Sequence, residues 1–141
     1  MPHHHKANQI NPIYLGASQD PVLAERTLKL ALSGEPSPTE APGIINAVAG
    51  SFPEMAYDFA IANRAKDEAL LEPTRRASYF PELATISRDP ATLAKLANYA
   101  PTIPASSRGD VEKAAASIRF RLALIKDRVP EMERWLAANG R

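Results

Sequence analysis

Apolar residues near the C-terminus fall on Ile118, Leu122, Ile125, Val129, Met132 and Leu136, spaced alternately by four and three. That interval holds all of them on one face of an α-helix. The same period recurs upstream. Leu23, Thr27, Leu30 and Ala31 share a face, which Leu28 and Leu32 widen. Ile44, Ile45 and Val48 mark a short buried helix, and Met55, Phe59 and Ala62 mark the next. Tyr79, Phe80, Leu83 and Ile86 follow, then Leu93, Leu96 and Tyr99. No useful stretch alternates at period two, and no Asn-Gly or Asp-Gly turn separates β-branched runs. The pattern predicts an all-α protein of about seven helices. Short connections predict antiparallel pairs.

Thirteen prolines do not contradict this, because most stand where helices begin. Asp20-Pro21 and Asp89-Pro90 each set a capping carboxylate before a proline. The aspartate accepts from first-turn amides, and the proline lacks a donor that would have been orphaned there. Pro53, Pro73, Pro81 and Pro130 read as further starts or restarts. Gly34 suits the end of the first helix, and Ser106, Ser107 or Asp110 the start of the last. "DPVLAERTLKLAL" and "DPATLAKLANYA" echo one another faintly. Leucines and alanines on paired helices suit stacked hairpins, a HEAT/armadillo-like α–α superhelix. The domain reading is a disordered or tag-derived segment over 1–19 and a helical-repeat domain over 20–141.

Composition narrows the function more than the fold. Apolar residues make up 45% of the 141, charged residues 23%, and the net charge is +1. Acids interleave with bases, so there is no basic face for nucleic acid. The absence of cysteine removes disulfides and thiolate metal sites and fits a reducing, cytoplasmic setting. No apolar run is long enough to span a membrane. His3, His4 and His5 are the chain's three histidines. They read as a tag remnant or a natural disordered start, with nothing elsewhere to complete a zinc site. With no histidine in the folded part, a Ser-His-Asp device is excluded. The carboxylate pairs, Asp67 with Glu68 among them, read as solvated helix faces. Arg119 and Arg121 read as stems packed along apolar surface with their heads in water. Arg75 and Arg76 form a basic doublet at a helix start, where acids are preferred. They read as a surface doublet or as an anion- or peptide-facing pair, and with Tyr79 they are the candidate substrate contacts.

The stretches "LALSGE", "PEMAYDFAIANR" and the closing "KAAASIRFRLALIKDRVPEMERWLA" occur in that order. Together they resemble the C-terminal helical domain of zinc aminopeptidases of the alanyl and puromycin-sensitive type, over roughly residues 20 to 138. The resemblance implies a non-catalytic domain that caps the active-site cavity and controls peptide access. Zinc and its His-Glu-x-x-His motif would sit in an upstream catalytic domain, and neither motif nor cofactor is carried here. The implied partners are that catalytic domain and the peptide substrate. The implied parent removes N-terminal residues from peptides. The alternative is a free-standing helical-repeat scaffold that binds a peptide or protein. A separated piece would also self-associate through apolar surface on its N-terminal helices. On this reading Pro130 ends one helix and starts another, and Trp135 and Leu136 staple the last turn inward. Trp135→Ala would then cost about 3–5 kcal/mol.

Overall fold

A computed structural model describes residues 19–140. The segment over 1–18, with its three histidines, lies outside the described residues. Among those described, every regular element is helical: seven α-helices and three single-turn 3-10 segments. The α-helices are α1 (Pro21–Ala31), α2 (Ala41–Ala49), α3 (Pro53–Ala62), α4 (Arg64–Ala69), α5 (Arg76–Ala84), α6 (Ala91–Tyr99) and α7 (Gly109–Asn139). They stack largely in chain order. α1 packs on α2, α2 on α3, α3 on α5, and both α5 and α6 on α7. The all-α superhelical class expected from the sequence is what is found.

The capping logic holds where an aspartate precedes a proline. The Asp20 carboxylate accepts from the Val22 and Leu23 amides, with Pro21 in the first turn of α1. Asp89 Oδ1 accepts from Ala91 N at 2.9 Å, and α6 begins one residue later than expected. Pro53 opens α3, and Pro73 opens the 3-10 turn leading into α5. Gly34 follows α1 at φ 94°, a left-handed turn that glycine adopts without a Cβ clash. None of Ser106, Ser107 and Asp110 caps α7; Arg108 holds that position.

Two prolines depart from the expectation. Neither Pro81 nor Pro130 restarts a helix; each lies inside one, in α5 and α7 respectively. A proline leaves the carbonyl four residues back without its usual donor. For Pro81 that carbonyl belongs to Ala77, and the Tyr99 hydroxyl donates to it at 3.3 Å. Tertiary structure thus replaces the missing helix bond, which lets a fully buried proline stay within a helix. For Pro130 the carbonyl is that of Lys126, on an exposed stretch where water can serve.

The core is continuous from α1 to the first turns of α7. Leu28, Ile44, Ile45, Val48, Phe80, Leu83, Leu96 and Ile118 are all buried in it. Phe80 is the centre, with Tyr79 edge-on at 5.4 Å and Tyr99 tilted at 5.8 Å. Each such aromatic pair contributes about 0.5–1.5 kcal/mol beyond its buried area.

Three further expectations are corrected. Trp135 and Leu136 are not stapled inward: α7 runs on past the core, and they are 62% and 54% exposed. Asp67 is not on a solvated face but fully buried in α4. The Arg121 head is not in water. Its guanidinium donates to the Thr85 and Ser87 carbonyls, at 3.0 and 2.8 Å, and to Ser117 Oγ. It thereby satisfies backbone acceptors just past the end of α5, as cations near helix C-termini do.

Candidate functional site

A largely apolar groove of about 380 Å³ lies between α3 and α6. On α3, Tyr57, Asp58, Ile61 and Ala62 follow helical spacing and so share one flank. Ala56 and Ala60 on the same helix are fully buried, and their small side chains allow close packing beneath. On α6, Lys95, Asn98 and Tyr99 stand three and four residues apart and form the facing flank. Thr102, in the 3-10 turn after α6, and Arg64, the first residue of α4, close one end.

Arg64 is the most constrained group there. Nε donates to Glu68 Oε2 at 3.1 Å and one terminal nitrogen donates to Thr102 Oγ1 at 2.7 Å. Its guanidinium carbon lies 4.9 Å from the Tyr99 ring centre and 5.8 Å from that of Phe80. Two hydrogen bonds and two rings fix the plane of the cation, the arrangement that suits arginine and not lysine. Across the groove Lys95 Nζ bonds both carboxylate oxygens of Asp58, at 2.9 and 2.8 Å. That pair is open to solvent and stabilises by at most about 1 kcal/mol; it defines a rim of mixed charge.

Tyr57 reaches the Lys95 carbonyl at 3.5 Å. Burial, with Tyr99 and Asp58 adding to it, pushes its hydroxyl well above the ordinary tyrosine range. Burial also raises Tyr99, against the opposing pull of Arg64. Both phenols are therefore donors, not bases, at neutral pH. The groove can hold an apolar side chain between Tyr57, Ile61 and Tyr99, and it can pair polar atoms at Arg64, Asn98 and Thr102. It presents no nucleophile with a base beside it.

The candidates read from the sequence lie elsewhere. Arg75 is exposed in the 3-10 turn before α5. Arg76 Nε donates to the Glu68 carbonyl at 2.8 Å and caps the end of α4. Tyr79 is 3% exposed, and its hydroxyl donates to the Pro42 carbonyl at 2.9 Å. None of the three lines the groove. The residues that do were missed because the groove joins segments nearly forty positions apart, such as Asp58 with Lys95 and Arg64 with Thr102. The one local signal was Lys95, Asn98 and Tyr99 at helical spacing.

Asp67 is a second unusual group. Neither carboxylate oxygen has a hydrogen-bond partner among the described residues, and burial pushes its carboxyl up to about 7. A polar recess of about 620 Å³ lies on another face, between Gln19, Ser51, Glu54, Arg88 and Arg121. Among the described residues no group of three or more metal-binding side chains converges, and no helix is long and apolar enough to cross a membrane. No known protein family, curated protein or solved structure matches the chain.

Proposed function

We infer that this is a non-catalytic, peptide-binding helical domain, and that it serves as the lid over the active-site cavity of a zinc aminopeptidase. The observation that carries the binding role is Arg64. Its guanidinium carbon is held 4.9 Å from the Tyr99 ring centre at one end of an apolar groove whose walls carry donors and acceptors for a peptide backbone. Sites of this kind are mostly apolar with a few placed polar groups. The lid role rests on the resemblance of "LALSGE", "PEMAYDFAIANR" and the closing amphipathic helix to that family. Substrate chemistry, zinc included, then belongs to another domain of the same polypeptide. A free-standing scaffold would use the same groove and differ in having no such domain.

The test has two arms. Short peptides with apolar side chains, titrated into the chain and followed by amide chemical shifts, should perturb α3, α6 and Arg64. Arg64→Lys keeps the charge but loses the planar fork, and should weaken binding at least several-fold. Shifts confined to other surfaces would overturn the groove reading. The second arm is the coding sequence upstream, which should encode a His-Glu-x-x-His domain. In that intact enzyme Arg64→Lys should raise KM for peptides and spare hydrolysis of a single-residue anilide. Without an upstream zinc domain the lid reading fails, and the free-standing scaffold remains.

A further inference from the structure

The seam of α7 is covered at one end and open at the other. Val111, Ala115 and Ile118 bury it against the core, and Leu122 still packs there. Beyond Leu122 the same stripe continues through Ile125, Val129, Met132 and Leu136, with none of the described helices upon it. In heptad terms Leu122, Val129 and Leu136 take position a, while Ile125, Met132 and Asn139 take position d. Pro130 then falls at b, off the seam, so its ring does not obstruct a partner. The spacing is the 3.5-residue repeat of a two-stranded coiled coil.

We propose that residues 122–139 pair with the same segment of a second copy, as a short antiparallel coiled coil. Charge complementarity points to this occupant, and the burial of the seam before Leu122 sets the direction. With a-on-d layers, Val129 of one copy meets Met132 of the other, Ile125 meets Leu136, and Leu122 meets Asn139. The flanking e positions then bring Lys126 opposite Glu133 of the second copy, twice by symmetry. The g positions bring Arg128 opposite Trp135, also twice, a cation over an indole face. Among the described residues neither Lys126 nor Glu133 has an ion-pair partner within the chain. A parallel pair would set Arg128 against Glu133 but also Arg121, held on the Thr85 and Ser87 carbonyls, against Lys126, and would bring the two bodies side by side at Leu122. The antiparallel overlap ends at Leu122, where the seam disappears into the core, so neither body blocks the other's helix tip. Fewer than three heptads give a small interface, so the dimer is reversible and concentration-dependent.

Sedimentation equilibrium of the 141-residue chain over a concentration series tests this. Dimers should form, and Lys126→Glu alone, or Glu133→Lys alone, should weaken them about tenfold by setting like charges opposite. The double swap should restore the wild-type constant. Circular dichroism of each variant at low concentration should match wild type, separating lost pairing from lost folding. A monomer throughout overturns the proposal. So does a Lys126→Glu variant that dimerises more tightly, the result for parallel strands, or a double swap no better than the singles.

Discussion

Ile118 and Ile125 lie about two turns apart on one stripe of α7, yet Ile118 is fully buried and Ile125 is 38% exposed. The residue type and the register are the same; only the cover differs. The prolines repeat the contrast. Pro81, in the core, has its orphaned carbonyl served by Tyr99, whereas Pro130 leaves its own to solvent. Arg121 marks the division: among the described residues it is the last side chain of α7 to bond backbone of another segment, at the Thr85 and Ser87 carbonyls. A periodic apolar face thus states that a helix is built to be covered, and leaves open whether its own chain supplies the cover.

The contrast is tested most severely by equal truncations at the two isoleucines. Ile118→Ala should destabilise the fold by about 2–5 kcal/mol, the cost of a core cavity. Ile125→Ala, in dilute solution, should stay within about 0.5 kcal/mol. Urea melts of both variants read the difference. If Ile125→Ala costs as much as Ile118→Ala, the distal helix folds back and the division at Arg121 is wrong.

Next in size is a pH effect that belongs to the core side alone. Folded Asp67 keeps its proton to about pH 7, against 3.8 for the ordinary carboxyl. Its neutral burial is fully tolerated below the unfolded value. As pH rises the unfolded chain releases the proton first, so stability falls across roughly pH 4 to 7 and then levels. Three units correspond to about 4 kcal/mol. Asp67→Asn cannot ionise, so its melting temperature should approach wild type near pH 4 and exceed it at pH 8. Shortening α7 after Leu122 should leave that pH slope in place. A variant with the wild-type slope would assign the effect to another group.

Much of the core half was legible in the sequence, because local chemistry dictates it. Asp20-Pro21 and Pro53 start helices for reasons contained within a few residues, and the apolar spacing names Leu28, Ile45, Leu83 and Leu96 as interior. What could not be read depends on distant partners. Pro81 looks like a helix start until Tyr99 is seen to serve Ala77. Asp67 looks solvated because its neighbours Lys66 and Glu68 are polar. The groove needs Arg64 and Thr102 brought together, and neither residue announces the other. Trp135 looked like a staple because tryptophan is usually buried; the core ends before reaching it.

Pro81 and Tyr99 give a smaller, sharper test. Tyr99→Phe should leave the Ala77 carbonyl without a donor and cost about 1–3 kcal/mol. Pro81→Ala returns a backbone N–H to α5, so in that background Tyr99→Phe should cost distinctly less. A double-mutant cycle by denaturant melts reads the coupling, and additive costs would show that the hydroxyl is not replacing the helix bond. No such coupling should link Pro130 to any side chain of the core.

The smallest expected effect is the most direct check on the exposed half. Trp135 is 62% exposed, so Trp135→Ala should change monomer stability by no more than about 0.5 kcal/mol. Its indole should fluoresce as a solvated group in dilute solution. The side chain matters only when a second helix arrives, where it would lie under Arg128 of the other copy. Raising the concentration should therefore shift the emission to shorter wavelength in the wild type. Arg121, half-buried and hydrogen-bonded in the first half of the same helix, should show the reverse: its removal weakens the monomer at every concentration. A blue-shifted, concentration-independent emission would place Trp135 against its own chain and erase the difference between the two halves of α7.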